Sequence, residues 1–329
     1  MNSLDLDVLE NARKWLLAGH KVHLVTVVQT WGSAPRQPGA LLALREDGHL
    51  FGSVSGGCIE DDLAARARAG QLPDHPDQIT YGIASEDASR FGLPCGGTLQ
   101  LVIEPLDDTG WLDDVLLAIH DHKLTLRTLD LQTGAITLAP ACPTDGPSFD
   151  GRLFYSLYGP PWRLLIIGAN QTALVLANIA VTLDFHVIVC DPREEFFTDW
   201  ELPNVTLVTS MPDDTVLEIG TDERTAIVAV THDPKLDDMA LLEALKSRAF
   251  YVGALGSQGN QAKRRERLRM FELTDAEIDR LYGPIGLPIH SRTPAEIAVA
   301  IAAQLIKVRN AQSDSLKKAR SPAASNCHI

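Results

Sequence analysis

Short, uniformly apolar runs recur in the second half of the chain, and they constrain its fold more than any other feature. Helical stretches such as residues 171–183 and 237–247 separate them. Strands that are buried on both faces of a parallel sheet have this continuous hydrophobicity. The pattern therefore predicts a doubly wound parallel sheet. The runs are RLLIIG, HVIVCD, VTLVTS, TAIVAV and AFYVGA.

The first half of the chain has a different pattern. Apolar positions at helical spacing over residues 6–17 precede the β-branched run KVHLVTVVQT. Asp47-Gly48 and Thr133-Gly134 each separate two apolar runs and are suited to hairpin turns, because glycine accepts a positive φ. CGGTLQLVIEPL adds a further strand. These features predict an α+β domain.

Prolines and glycines are frequent between residues 140 and 161, as is typical of a domain border. We therefore predict an α/β protein of two domains. Residues 1–158 form the N-terminal α+β domain and residues 159–310 form a Rossmann-like domain with a doubly wound parallel sheet. Residues 311–329 are polar, and we expect them to form a disordered tail.

Composition and charge exclude several classes of protein. Hydrophobic residues make up 45% of the chain, enough for a buried core, and the net charge of -14 argues against nucleic acid as a partner. The N-terminus lacks a signal-peptide pattern, and Asp184 and His186 interrupt the most apolar stretch. We expect a cytoplasmic protein with no membrane span. Five widely spaced cysteines without a CxxC pair fit neither a disulfide framework nor a zinc module.

The stretch GSVSGGCIEDDL places a glycine turn at the start of a predicted helix. Ser55, Gly56 and Gly57 can expose successive backbone N–H groups toward an anion. Cys58 would lie at the helix start, where the positive end of the dipole favours a thiolate and the acids that follow oppose it. The alternative is a tight turn in which the cysteine packs as a small apolar side chain.

Two further segments of the first half carry candidate binding residues. Arg36, in TWGSAPRQPGA, offers a planar set of donors for phosphate or carboxylate, or is a surface arginine in a turn. Cys95 precedes Gly96 and Gly97 in FGLPCGGTL. This gives the domain a second thiol beside a glycine-rich backbone.

The segment LLIIGANQTALVLANIAVTLDFHVIVCD reads as strand, glycine turn, helix and strand. Gly168 begins the turn, and Asp191 ends the second strand about 20 residues later, where an acid can bind a ribose hydroxyl. Asn170 stands at the position of the second glycine and adds a side chain where the backbone should approach a pyrophosphate. This weakens the case for NAD(P) binding. Arg193 could pair with a phosphate or lie on the surface.

Two motifs follow later strands of the predicted sheet, at the edge where open α/β folds bind ligands. His232 follows the strand 225–230 and could pair with Asp233, or Asp233 could cap the next helix. Gly256 and Ser257 precede a helix with a basic run, an arrangement that suits a phosphate. The basic run itself is typical of a solvated helix face or a docking patch.

The motifs TWGSAPRQPGALLAL, GSVSGGCIEDDL and CGGTLQLVIEPL, in this order and before a Rossmann-like half, resemble the XdhC/CoxI family. Its members are accessory proteins for molybdenum hydroxylases such as xanthine dehydrogenase. The resemblance implies a factor that binds molybdenum cofactor, holds it while a sulfido ligand replaces an oxo ligand, and delivers it to the apo-hydroxylase. A separate cysteine desulfurase would supply the sulfur. The family usually has Gly-Ala-Gly where this chain has Gly168-Ala169-Asn170.

The implied ligand, molybdopterin, combines a terminal phosphate, a dithiolene-bound metal and a polar pterin. A site for it needs anion-holding N–H groups, a cation and a soft ligand, and we predict Cys58 and Cys95 as the residues near the metal. The predicted cofactor-binding residues are Arg36, Ser55, Gly56, Gly57, Cys58, Cys95, Gly96, Gly97, Gly168, Asp191, His232, Gly256 and Ser257.

A chaperone of this kind needs no catalytic turnover of its own, and a homodimer is a further hypothesis. Two alternatives stay open. The first is an NAD(P)-dependent oxidoreductase that uses Asp191 and His232 of the Rossmann-like half. The second is a thiol redox regulator built on Cys58 and Cys95.

Overall fold

The computed structural model divides into two compact units, residues 1–160 (the first unit) and 161–329 (the second unit). The two predicted domains and their border near Tyr158 stay a prediction. The residues that the structure describes are 3–31, 36–82, 98–141, 147–198, 200–271 and 273–319.

The first unit combines helices with two antiparallel sheets. One sheet has the strand order β3-β2-β1-β5-β4 and the other the order β7-β6-β9-β8. The hairpins predicted at Gly48 and Gly134 are present, and both glycines have a positive φ. The elements are α1 (Ser3–Leu17), β1 (Val22–Trp31), β2 (Leu41–Arg45), β3 (Leu50–Gly52), α2 (Cys58–Arg68), β4 (Asp77–Tyr81), β5 (Thr98–Leu106), α3 (Gly110–His120), β6 (Thr125–Asp130), β7 (Ile136–Pro140), β8 (Ser148–Phe149) and β9 (Leu153–Tyr158).

The central strand β1 of the larger sheet is covered on both faces. Val25 and Val27 pack in one apolar cluster with Ile59 of α2. Leu24, on the opposite face, packs in another cluster with residues of α1 and α3 such as Val8. Because successive side chains of a strand point to opposite faces, consecutive apolar residues such as Leu24 and Val25 in β1 fit this double burial.

The second unit is built on one parallel sheet with the strand order β12-β11-β10-β13-β14-β15. This is the strand order of dinucleotide-binding folds, and the predicted doubly wound fold is confirmed. The elements are β10 (Trp162–Ile167), α4 (Gln171–Thr182), β11 (Phe185–Cys190), β12 (Val205–Val208), α5 (Pro212–Glu218), β13 (Thr225–Ala229), α6 (Pro234–Ala244), β14 (Tyr251–Ala254), α7 (Gln258–Met270), α8 (Asp275–Asp279), β15 (Leu281–Tyr282) and α9 (Pro294–Ala319).

Burial explains why the strands of this sheet read as continuous apolar runs. Residues 164–167 of β10 are fully buried. Leu164 packs in a cluster with α4 and α9, while Leu165 packs in a second cluster with α6 and α7. Both faces of β10 are therefore covered by helices, which leaves residues 164–167 no solvated face.

The last helix, α9, begins with a capping box. Glu296 accepts a hydrogen bond from the Thr293 backbone N–H at 3.1 Å, and its own N–H donates to the Thr293 hydroxyl at 3.3 Å. The helix continues through residues 311–319, which we assigned to a disordered tail. Alanine, leucine and lysine in this stretch favour continuation of an established helix. Within the described residues, no helix is long and apolar enough to cross a membrane.

Candidate functional site

One buried carboxylate organises the glycine turn of the first unit. Glu60 lies in the first turn of α2 and accepts six hydrogen bonds from residues 53–57. The donors are the backbone N–H groups of Val54, Ser55, Gly56 and Gly57, at 2.7–2.9 Å, and the hydroxyls of Ser53 and Ser55.

These donors change the acidity of Glu60. Burial by itself would raise the pKa of its carboxyl group, but the hydrogen bonds from Ser55, Gly56 and Gly57 outweigh burial and lower the pKa to about 2. The turn therefore holds an anion, and that anion belongs to the chain. A role for Ser55, Gly56 and Gly57 in cofactor binding stays a prediction. Their backbone N–H groups, on which that prediction depends, donate to Glu60 in this structure.

Arg36 lies beside the same turn. Its Nε donates to the backbone oxygen of Ser53 at 3.1 Å, and its buried Nη2 has no hydrogen-bond partner among the described residues. A guanidinium group that is anchored at one end retains donors for an anion at the other.

The thiols predicted to lie near the metal cannot be placed in the same way. The backbone of Cys58 begins α2, but its side chain lies outside the described residues, as do Cys95, Gly96 and Gly97. Their roles stay predictions. Among the residues that are described, no cluster of His, Cys, Asp and Glu side chains could hold a metal ion.

In the second unit, the side chain of Asn170 forms hydrogen bonds within the glycine turn that follows β10 and with the end of β13. Gly168 has a φ of +105°, and an added Cβ would lie 2.8 Å from Cγ2 of Thr231, so this position requires glycine. Asn170 caps α4 by accepting a hydrogen bond from the Ala173 N–H at 3.0 Å, and its Nδ2 donates to the Val230 oxygen at 2.5 Å. It thereby bridges the ends of β10 and β13. Dinucleotide-binding folds take their ligand at this switch point of the sheet.

Asp191, the predicted ribose acceptor, is fully buried and already paired. Its Oδ2 accepts from the Ala169 N–H at 3.0 Å, and Arg193 donates through Nε to Oδ1 and through Nη2 to Oδ2, both at 2.8 Å. Burial opposes ionisation of Asp191, but these hydrogen bonds, above all those from Arg193, leave its pKa below the usual value. Arg193 also lies 4.1 Å over the ring of Phe196. Both oxygens of Asp191 are thus engaged within the protein.

A cavity of about 250 Å³ opens where β13 and β14 end, and we call it the edge cavity. It brings together the predicted residues His232 and Gly256. Asn260, Lys263 and Arg267 of α7 line it as well, and sequence reasoning treated the basic members of this set only as part of a charged run. Sheet edges of this kind are common ligand sites in α/β folds.

Two of the predicted polar residues at this edge act as helix caps. Ser257 accepts a hydrogen bond from the Asn260 N–H at 3.3 Å and so begins α7. Asp233 accepts from the Lys235 N–H at 2.9 Å and begins α6, which confirms the capping alternative for this residue. The exposed His232 lines the edge cavity, whereas Ser257 supports the helix behind it.

A largely buried ionic network joins α6 and α7 beside the edge cavity. Asp237 accepts from the Thr231 hydroxyl at 2.8 Å and from Nη2 of Arg264 at 2.7 Å. Asp238 accepts from Nε of Arg264 at 3.2 Å and from Nε of Arg267 at 2.6 Å. Burial raises the pKa of Asp237 to about 6, against the effect of Arg264 and Thr231, so the carboxyl group is mostly ionised at neutral pH.

The basic side chains around the edge cavity therefore differ in whether they are free to bind a ligand. The two aspartates hold Arg264 and Arg267 by ion pairs. Lys263 lines the cavity, is exposed, and has no ion pair within the described part of the chain. An anionic group that enters the cavity would meet this lysine together with the outer face of Arg267 and the amide of Asn260.

Fold and sites together define a class of protein. An α+β first unit precedes a second unit with Rossmann strand order. In the glycine turn after β10, where dinucleotide-binding folds hold a pyrophosphate, this chain has Asn170. The XdhC Rossmann domain matches residues 164–305, and the XdhC and CoxI family matches residues 15–82, which together make up well over half of the chain. The chain belongs to the XdhC and CoxI family.

Individual relatives extend the likeness over nearly the full length. The chain is 28% identical over 314 residues to a probable subunit of xanthine dehydrogenase from Bacillus subtilis, covering 87% of this chain and 92% of that protein. It is 28% identical over 304 residues to the molybdenum cofactor insertion chaperone PaoD of Escherichia coli, covering 92% and 88%. A crystal structure described as a xanthine dehydrogenase from Bacillus halodurans superposes with a TM-score of 0.73 at 26% identity, over 98% of both chains.

Proposed function

We propose that this protein binds molybdenum cofactor as its cargo, holds it while a sulfido ligand replaces an oxo ligand, and delivers it to an apo molybdenum hydroxylase of the xanthine dehydrogenase type. The observation that carries the proposal is the likeness, over 92% of this chain, to a molybdenum cofactor insertion chaperone. The family assignment supports it in both units of the chain, since each unit contains one of the two family matches.

The edge cavity of the second unit fits the anionic part of such a cargo. A phosphate needs cationic and N–H donors that are not already satisfied, and Lys263 meets this requirement. The ion pairs that Arg264 and Arg267 form with Asp237 and Asp238 connect α7 to α6. We propose that the terminal phosphate of the cofactor binds here, beside His232 and Gly256.

The first unit contributes a separate set of groups to the proposal. Arg36 supplies a buried guanidinium nitrogen without a partner among the described residues. We propose Cys58 and Cys95 as soft ligands for molybdenum or its sulfido group, because thiolates suit both. A cysteine desulfurase is the proposed sulfur donor, and a homodimer is the proposed assembly.

The bound ligand after gentle anaerobic purification tests this function. We expect molybdenum by mass spectrometry and oxidised pterin by fluorescence in equal amounts per chain. Lys263→Gln should weaken retention of the pterin about tenfold, the loss of one charge-assisted hydrogen bond. Lys246→Gln, which removes a lysine outside the edge cavity, is the matched control and should retain the parent amount.

Three other outcomes would contradict parts of the proposal. Saturable NADH binding without pterin would favour an oxidoreductase, and a reversible disulfide between Cys58 and Cys95 with neither ligand would favour a redox regulator. Unchanged molybdenum in both Cys58→Ser and Cys95→Ser would remove the thiols as metal ligands. Activation of an apo-hydroxylase by the loaded protein in vitro then tests delivery.

A further inference from the structure

A second cavity, of about 380 Å³, lies wholly within the first unit, and we call it the acidic cavity. The end of β5, the start of α3 and the β6–β7 hairpin line it. Glu104 and Trp111 face it from β5 and α3, and Asp74, Asp107 and Asp108 contribute further carboxylates. The acidic cavity contains none of the residues that we propose to bind the cofactor.

Glu104 takes part in a buried ion pair with an unused acceptor. Its side chain is 2% exposed and that of Arg127 is 0% exposed, with Nη2 of Arg127 donating to Oε2 of Glu104 at 2.5 Å. Oε1 of Glu104 has no hydrogen-bond partner among the described residues. A buried carboxylate oxygen without a donor is costly, so a donor that reaches it from the cavity is stabilised.

Arg127 neutralises Glu104 but leaves the other carboxylates uncompensated. Its guanidinium carbon lies 3.9 Å from the ring centroid of Trp111, so the cation is held between an aromatic face and a carboxylate. Asp74, Asp107 and Asp108 form no ion pair within the described residues, and no lysine or arginine is among the described residues that line the cavity. The cavity therefore carries a net negative field.

Part of the remaining wall of the cavity is apolar, and His75, Gln132 and Thr133 add polar groups to it. Leu106, Leu129 and Ile136 line it between the carboxylates and the hairpin. A carboxylate acceptor at depth, an aliphatic wall and acidic groups around both suit a cation at the end of an alkyl chain, because the stem buries apolar surface while the charged head is paired.

We propose that the acidic cavity binds a guanidinium or alkylammonium group on an aliphatic stem, with Glu104 Oε1 accepting one of its N–H groups. This binding site is independent of the proposed cofactor function. The same chemistry has two sources, a basic side chain of a partner polypeptide and a free alkylamine.

Calorimetric titration of the full chain with N-acetyl-arginine amide tests the site, and N-acetyl-citrulline amide serves as the uncharged control probe. We expect single-site saturation by the arginine compound and about tenfold weaker binding of the citrulline compound, from the loss of charge-assisted hydrogen bonding. Asp107→Asn with Asp108→Asn should lower the affinity about fivefold, for two charges about 8 Å from the ligand in a water-like dielectric. Asn retains the side-chain oxygen with which Asp108 accepts the Gly110 N–H.

The matched control is Asp7→Asn with Asp114→Asn, which removes two exposed helical carboxylates outside the acidic cavity. This variant should bind the arginine compound as the parent does. Equal weakening in both double variants would reduce the effect to the net charge of the chain and overturn the proposal. So would equal binding of the two probes, or no binding of the arginine compound by a parent protein shown to be folded.

Two further titrations then separate the sources of the cation. A neutral peptide with one arginine is compared with its citrulline counterpart, and spermidine is titrated in parallel. Tighter binding of the arginine peptide than of the free amide supports a partner side chain. Binding of spermidine and the free amide, with exclusion of the peptide, supports a free amine.

Discussion

The two glycine turns of the molecule satisfy their backbone groups with the chain's own side chains, but by opposite means. In the first unit, one ionised residue, Glu60, accepts six hydrogen bonds from the turn at residues 53–57. In the second unit, the work is shared between the neutral Asn170 and the Asp191–Arg193 pair. The first arrangement depends on one charge, whereas the second distributes its bonds over several groups.

This difference shows why a glycine turn at a helix start does not by itself identify a ligand site. Such a turn favours an anion or a polar acceptor, and nearby side chains compete for the position with any external ligand. The edge cavity differs from both turns because its exposed lysine has no internal partner among the described residues.

The largest effect should follow from removal of the shared acceptor in the first unit. Glu60→Ala leaves buried N–H and hydroxyl donors without a partner, and we expect the free energy of unfolding to fall by about 3–5 kcal/mol. Urea denaturation measures the change, and amide hydrogen exchange at residues 54–57 locates it. Glu10→Ala, at an exposed acid of α1, should change stability by less than about 0.5 kcal/mol. A loss below about 1 kcal/mol for Glu60→Ala would show that the six bonds contribute little net stability.

Acid should weaken the first turn next. Because the pKa of Glu60 in the folded protein is lowered to about 2 from 4.5, its contribution is fully present above pH 4.5 and is lost as the pH falls toward 2. This pKa difference between the folded and unfolded states contributes about 3 kcal/mol to the free energy of unfolding at neutral pH. Urea midpoints of the parent and of Glu60→Gln, measured from pH 6 to pH 3, should therefore converge as the pH decreases. A constant gap between the two would exclude ionisation of Glu60 as its cause.

The smallest effect is expected at the second turn. Asn170→Ala removes one helix cap and one bond to β13, and we expect a loss of about 1–2 kcal/mol. Asn170→Gly should cost less, because glycine is a tolerated cap. The matched control is Asn178→Ala on the exposed face of α4. A loss of stability in Asn170→Ala as large as that in Glu60→Ala would contradict the comparison, because it would show that the second turn also depends on one acceptor.

Much of the fold was predictable because the spacing of apolar residues in the sequence follows which faces of each element are buried. The continuous apolar run of β10 indicated a strand covered on both faces, and the structure buries residues 164–167 completely. Gly48 and Gly134 marked hairpins because each needs a positive φ. The helical continuation over residues 311–319 was missed because that stretch is polar and its order follows from the helix before it.

The interactions at the sites were less accessible to sequence reasoning. Glu60 occupies the third helical position, three residues after Gly57, and that spacing was a usable signal for an internal capping acceptor. The pairing of Asp237 with Arg264 joins two different helices, α6 and α7. The Glu104–Arg127 pair likewise joins strands of two different sheets. Neither pairing has a local spacing rule, so only the fold reveals it.

The Glu60 network also bears on the entropy of any later binding at the start of α2. Hydrogen bonds from four successive backbone N–H groups fix the chain up to Gly57, immediately before Cys58. Ordering a residue's backbone costs about 1–2 kcal/mol. Here that ordering accompanies folding, so a ligand that meets this segment finds it preorganised and keeps more of its interaction energy as affinity.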